Sequence, residues 1–512
     1  MSDTCRRILA FLLAMVLCLG TLALVSCADE SQEGEDPAGT ENSEQPENPG
    51  EEEEPRLPID YLPTDKSYGG AQVHFLEWSA NGQTDVGSGW IPWEECDVDD
   101  YDGDAINSAI YDRNRLTEET YDVVISKEYV SVDGSPTYTT SVRNNNSSGD
   151  DAYQMITLRT GGISTLVMEN LMTNMYELEY LHTDMPWWNQ DSVRSFTLGE
   201  TLFWAAPEML LRDKGGTAAM FFNQKVAEDN SSIVPDLYQL VYDGEWTFDQ
   251  LITISEGIAT SLDGNDILDS GEDLWGCLGQ DDPVYYLFNG AGLKFAHIDD
   301  DGYIEYDFGD EESINIMDEI FNNIIYAEWY GHTIHRTDDS KTDEIFKGDL
   351  ALFSFNCIKG VLGLRDMTTN YGILPTPKYD KYQKDYSSLV WVHHDCALGI
   401  PSAVGDKEMV SVILEYLSYL SYYEVYPVFY DTVLMGRSTR DEQSRDMLEI
   451  VFQTRSFDPG QYWDLGSGLH GGEGYLRLAD TKNTNIASIW AKWESAVEQN
   501  FDEINTFVDE LS

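Results

Sequence analysis

Basic residues are scarce. The 512-residue chain holds 30 Lys and Arg against 93 Asp and Glu, for a formal net charge of −63. Phosphate backbones are bound by stripes of Lys and Arg, so nucleic acid is excluded as a partner. An anionic membrane surface is excluded for the same reason. Cysteine is sparse too. Cys5, Cys18 and Cys27 lie near the start, and Cys96, Cys277, Cys357 and Cys396 are far apart with no CxxC pair. Neither a zinc site nor a redox motif follows; one or two disulfides are open, without a pairing. The chain has no GxSxG elbow and no HExxH helix. His332/His335 and His393/His394 are its only local histidine pairs, and both read as ordinary polarity. After the first 25 residues no apolar run is long enough to cross a bilayer.

The start is different. Arg6 and Arg7 precede an uncharged apolar run from Ile8 to Val25, which ends in Leu24-Val25-Ser26-Cys27. This resembles the lipobox of bacterial lipoproteins, rather than a plain secretory signal or an uncleaved anchor. The resemblance implies cleavage before Cys27 and lipid on its sulfur. Residues 1–26 are then a signal peptide. Residues 27–60 are the lipidated cysteine and a disordered acidic tether: residues 28–57 hold no aromatic and one base, Arg56. Like charges keep such a segment extended. The expected location is the outer face of a cell membrane, held there by the lipid alone.

The remaining chain is too long for one ordinary core. Strand patterns at 71–78, 121–125 and 152–158 alternate with a helix at about 104–119, capped by Asp104. That rhythm predicts an α/β fold with mostly parallel sheets flanked by helices. Further along, Thr247 and Gln250 have capping-box spacing for a helix to about Thr260. Helices are predicted at 311–328, 406–421, 441–454 and 484–511, and a buried strand at 349–355. In the last helix the stripe Ile486, Ile489, Trp490, Trp493, Val497, Phe501, Ile504 and Val508 is assigned to the core.

Short stretches then add up in order. Asp104 to Arg115 (DAINSAIYDRNR), Pro186-Trp187-Trp188-Asn189, Phe221 to Lys225 (FFNQK), Asp236 to Thr247 (DLYQLVYDGEWT), and Arg440-Asp441 with Asp446, Leu448, Phe457 and Asp458 resemble the extracellular solute-binding lipoproteins of ABC-type carbohydrate importers. The resemblance spans about 66–470. It implies a two-lobed, periplasmic-binding-protein-like (type II) receptor, monomeric and without cofactor. Such a receptor closes on a sugar and hands it to permease subunits. The expected lobes are 61–203 with 392–440, and 204–391 with 441–512. Crossings are expected near Leu202–Pro207 and Trp391–Leu398. A surface glycoside hydrolase and a polysaccharide-binding adhesin stay open; with 93 acids, some carboxylate pair is always available to a hydrolase reading.

A sugar needs aromatic planes for its C–H faces and polar groups for its hydroxyls. In doubly wound sheets these follow the strand ends. The cleft candidates are therefore Glu77 and Trp78 after the first strand, Arg159 and Thr160 after the third, Trp204 at the first crossing, Asn356, and Trp391, His394 and Asp395 at the second. Trp188, of the pair Trp187-Trp188, joins them; the other reading of Met185-Pro186-Trp187-Trp188 is a structural corner. Trp78→Ala and Trp391→Ala are expected to weaken binding without unfolding. Separately, counting Ser261 as position 1, Asp263, Asn265, Ile267, Asp269 and Glu272 have EF-hand-like spacing. The acidic first ligand and central glycine are missing, so the loop reads as a degenerate calcium site or a solvated turn.

Overall fold

In the computed structural model the described residues are 56–79, 93–98, 100–101, 103–131, 137–158, 160–262, 264, 267–268, 272–332, 339–394, 397–434, 442–463 and 485–511. Two five-stranded sheets organise residues 57–512, which form one compact unit. Their strands, in chain order, are β1 (Ala71–Ser79), β2 (Val123–Ser131), β3 (Met155–Leu158), β4 (Trp204–Ala205), β5 (Ala218–Asn223), β6 (Trp275–Gly279), β7 (Tyr330–His332), β8 (Ala351–Cys357), β9 (Tyr371–Leu374) and β10 (Ala397–Gly399).

The first sheet has the order β2-β1-β3-β10-β4 and the second β9-β5-β8-β6-β7. Both are mixed. In the first, β2, β1 and β3 are parallel, while β10 is antiparallel to both β3 and β4. In the second, β8, β6 and β7 are parallel, while β5 runs against β8 and β9. The predicted mostly parallel sheets thus hold: four strands in each run one way, and only β10 in the first and β5 in the second run against them. Each reversed strand is laid down where the chain enters from the other sheet, which needs no crossover helix.

Local chemistry explains the flanking helices. Asp104 accepts hydrogen bonds from Ile106 N (2.9 Å) and Asn107 N (3.1 Å), and the helix Ala105–Tyr121 ends at Asp122 in the left-handed region. Its buried face carries Ile106, Ile110, Arg113, Asn114, Thr117 and Tyr121. The expected helix at 311–328 is an α-helix to Glu319, then a π turn over Ile320–Ile325. Thr247 precedes the helix Phe248–Ile258 but makes no side-chain cap bond, so the capping box fails. A backbone bond from Phe248 N to Lys378 O takes up one of the helix's first donors instead. Ile486–Leu511 is helical, and Ile486, Trp490, Val497, Phe501, Ile504 and Val508 of its stripe are buried.

Cys96, Cys277 and Cys357 are buried thiols outside any disulfide, and Cys357 Sγ lies 3.2 Å from the Tyr286 hydroxyl. Burial pushes the Cys96 and Cys277 thiols well above the usual range. Cys396 lies outside the described residues. Among the described residues no helix is long and apolar enough to cross a membrane.

Candidate functional site

Topology makes two strand edges face one junction. In the first sheet β1, β2 and β3 are parallel, so Glu77-Trp78, Tyr129 and Leu158 lie at one edge. In the second, β6, β7 and β8 are parallel, so Gly279, His332 and Cys357 lie at one edge. The chain leaves β4 at Ala205 and enters β5 at Ala218, which pairs with Cys357. It returns into β10 at Ala397, which pairs with Leu158. Both passages therefore join the carboxyl-end edge of one sheet to that of the other. Thr217 bridges Val390, Trp391 N donates to Gly216 O (2.9 Å), and Val390 N donates to Ser456 O (2.9 Å). Three chain segments are thus tied side by side at the junction.

The junction is charged and dry. Arg212, Asp213 and Lys214 follow the apolar run Met209-Leu210-Leu211 and are all buried. Arg212 donates Nη2 to Glu77 Oε2 (3.0 Å) and Nη1 to Trp78 O (3.1 Å), and its Nε stands 2.9 Å from Glu95 Oε1. The guanidinium lies 5.1 Å over the Trp78 ring. Burial raises the Glu77 carboxyl to about 7, against the pull of Lys127 and Arg212. Lys127 bonds Glu94, and Tyr129 donates to the same carboxylate (2.6 Å). Beyond Arg212, Lys214 lies 2.9 Å from Glu208 and 3.3 Å from Asp213, and Arg455 pairs with both acids. Burial opposes ionisation of Glu208, but Lys214 and Arg455 outweigh it and lower its carboxyl. This two-acid, two-base cluster is neutral as a whole.

The structure sorts the candidates into groups. Glu77 and Trp78 stand together under Arg212. Trp391 stacks on Tyr285 (ring centroids 5.0 Å, 27°) and His394 Nδ1 stands 3.0 Å from Lys359 Nζ, three residues after the half-buried Asn356. Trp204 packs on Trp463 (4.1 Å) and Phe196, away from both groups. Trp188 donates its indole N–H to Glu415 (3.0 Å), as Trp187 does (2.8 Å), so the pair forms a corner inside the first lobe. Trp78, Trp188, Trp204 and Trp391 are all fully buried. Thr160 begins the helix Thr160–Met168; Arg159 and Asp395 lie outside the described residues. Asp263, Asn265 and Asp269 of the calcium loop lie outside them too. Ile267 is exposed, and Leu262 N donates to Asp273 Oδ1 (3.0 Å), which closes the loop's base. Among the described residues no group of three metal-ligating side chains occurs.

The charged junction residues Glu95, Glu208, Arg212, Asp213, Lys214 and Arg455 form no motif in the sequence. One cue was available: Arg-Asp-Lys set between two apolar runs, Met209–Leu211 and Ala218–Phe222, where a charge is dear to bury.

An open cavity of about 520 Å³ lies beside the junction. Asn189, Asp191, Arg194, Lys294, Asp385 and Arg455 are among the residues that line it. It holds donors and acceptors for hydroxyls but no aromatic plane.

No family model and no curated protein matches the chain. Solved structures do match. A cyclo/maltodextrin-binding protein complexed with maltotetraose aligns with TM-score 0.54 and 11% identity, over 85% of this chain and 98% of that one. UspC of M. tuberculosis aligns at 0.52 and 14%, over 84% and 100%. A sugar transporter from Rhizobium etli in an open conformation aligns at 0.52 and 10%, over 86% and 99%. With its two mixed sheets and the passages between their carboxyl-end edges, the chain has the two-lobed, type II periplasmic-binding-protein fold that these structures share.

Proposed function

We propose that the chain is a lipid-anchored receptor at the outer face of a cell membrane, which captures a carbohydrate between its lobes and delivers it to an ABC permease. The observation that carries this reading is the pair of strand edges facing one junction across two passages, in a fold shared with a maltotetraose-bound protein. A hinged junction of this kind suits capture and release. The binding groups on this reading are those at the two edges: Asn356, Lys359 and His394 on one side, and the Glu77-Trp78 edge with Tyr129 on the other. The lipobox at Cys27 and the acidic tether support the location. No catalytic role is assigned to any residue.

The test is a thermal-shift screen of the soluble domain against mono- and oligosaccharides, since a ligand bound by the native state raises its apparent stability. One sugar or a related series should raise the midpoint in proportion to the logarithm of its concentration, with no release of reducing ends. Turnover of a glycoside at enzyme-like rates would overturn the reading, as would a screen in which no sugar stabilises the chain.

A further inference from the structure

The second lobe sends an arm across to the first. Helix Pro283–Gly290 follows β6 and belongs to the second lobe: its Tyr286 hydroxyl stands 3.2 Å from Cys357 Sγ, at the end of β8. Beyond it, residues 293–308 project as an arm built on a hairpin, with strands Ala296–Ile298 and Ile304–Tyr306. Phe295 packs on Phe288 of the helix (ring centroids 4.8 Å), and Asp458 accepts from Phe295 N (2.9 Å), so the arm is fixed at its root. Residues 189–203 belong to the first lobe. Asn189 N donates to Ala206 O (3.1 Å), next to β4, and Leu202 N to Asn174 Oδ1 (3.0 Å). Thr173 N, beside Asn174, donates to Ile400 O (2.8 Å), which follows β10.

The arm grips that segment at two points. Near its root, Lys294 Nζ donates to Asp191 (3.2 Å), to Ser195 (3.4 Å) and to Phe457 O (2.8 Å). At its tip, Gly199 N donates to Gly302 O (2.9 Å). The close approach at the tip depends on glycine: Gly302 has a φ of +84°, and a methyl group there would run into the Gly199 backbone. The C-terminal helix Ile486–Leu511 braces the grip. Its Asn505 accepts from Ile304 N (2.9 Å) and donates to Ile304 O (3.0 Å), while its Phe507 packs on Phe203 (ring centroids 6.1 Å). The arm is thus a link between the lobes besides the two covalent passages. Lys294 and Asp191 both line the open cavity of about 520 Å³ beside the junction, so the arm spans it. A swing of the lobes about the passages works against these bonds.

We propose that the arm formed by residues 293–308 is a strap that limits how far the lobes part in the sugar-free chain, and so keeps the binding-competent arrangement populated. The inference rests on the receptor reading, on which the lobes part to admit a sugar. Such a strap tightens apparent affinity, because the apparent Kd is the intrinsic one divided by the competent fraction.

The test is an inter-lobe distance distribution from paired spin labels on residues 57–512, which form one compact unit. The labels go on Glu119→Cys in the first lobe and Glu228→Cys in the second, both exposed, in a Cys396→Ser background; Cys96, Cys277 and Cys357 are buried. Without sugar, the intact strap should give one narrow distribution. Gly302→Ala and Lys294→Met should each add a population at longer distance, in protein whose circular dichroism is that of the wild type. Lys294→Arg, which keeps a cation and its donors, should restore the narrow distribution. Both strap variants should also bind the stabilising sugar more weakly, by the factor by which the competent population falls. Narrow distributions in both variants would overturn the strap and leave the receptor reading intact. Broadening with unchanged affinity would overturn it too, because the strap would then act on a motion that the sugar does not use. Weaker binding in Lys294→Met alone, with wild-type distances, would overturn it by placing Lys294 in a ligand site. A screen in which no sugar stabilises the chain would overturn the receptor reading and the strap's effect on affinity, while the distances would still decide whether the arm holds the lobes.

Discussion

Arg212 donates to Glu77 at 3.0 Å, and neither side chain reaches solvent. The contact joins the first inter-sheet passage to the end of β1, and the same guanidinium also faces Glu95 and Trp78 O. Three acceptors around one planar, forked cation suit arginine and not lysine. Arg212→Met should therefore cost about 3–5 kcal/mol, because it leaves two buried carboxylates uncompensated. Arg212→Lys should recover only part of that loss. Urea unfolding of the soluble domain checks both; a loss under about 1 kcal/mol in Arg212→Met would show that the acids are rehydrated in its absence.

Glu77 sets a pH dependence. Its carboxyl is raised to about 7 in the fold, above the unfolded value of roughly 4.3, because burial penalises the anion. The folded state therefore binds more protons than the unfolded one between these values. The resulting stability is fully present below about pH 4.3 and is lost as pH rises through about 7. Glu77→Gln keeps the shape and an acceptor for Arg212 but cannot ionise. Wild type should lose stability relative to this variant between pH 5 and pH 8. Parallel denaturation curves at both pH values check it, and an unchanged difference would refute the assignment.

Where the sequence was readable, one physical signal was strong. Asp104 before an amphipathic run predicted the helix now seen from Ala105, and the start of β1 alternates between buried Val73 and Phe75 and more exposed neighbours. The strands β5 and β6 were not readable as strands. Ala218–Asn223 is buried at every position and Trp275–Gly279 at all but the first, so neither has a period of two to detect. The antiparallel re-entry of β5 and β10 was hidden for another reason: strand direction is a property of the passages, not of the strands. At the site, Trp78 and Asn356 were proposed from the strand-end rule, and Trp391 from the expected second crossing. Arg212, which lies over Trp78, and Tyr285, which stacks on Trp391, come from distant segments, and no local pattern marks such pairings.

Burial changes what two planned substitutions would report. Trp78 and Trp391 are both fully buried, and Trp391 is stacked on Tyr285. Truncation to alanine should therefore cost about 3–5 kcal/mol through lost contacts and a cavity, so reduced sugar binding in either variant would be confounded with unfolding. Trp391→Phe, which keeps an aromatic ring against Tyr285, should cost less. Comparing urea midpoints of Trp391→Ala and Trp391→Phe checks this; equal losses would mean the stacking geometry contributes little beyond the indole itself.

Glu415 anchors the entry of the chain into the first lobe. Its carboxylate accepts from Tyr61 OH (2.6 Å), Trp187 Nε1 (2.8 Å), Trp188 Nε1 (3.0 Å) and His182 N (3.2 Å). Burial raises its carboxyl, and these four donors oppose the rise. The strap around Tyr61, whose ring stacks on His182 at 3.9 Å, thus shares one buried acceptor with the Trp187-Trp188 corner. Glu415→Ala would strand two indole N–H groups away from water, at about 1–3 kcal/mol each. Glu415→Gln keeps one acceptor oxygen and should be milder. The local consequence separates this from a general loss of stability. In Glu415→Ala the segment near Tyr61 should become a site of proteolysis under native conditions, because it loses a hydrogen bond across 354 residues of sequence while its neighbours in β1 keep theirs. Cleavage there at the wild-type rate, despite a lowered midpoint, would mean that the His182 stack alone holds the strap.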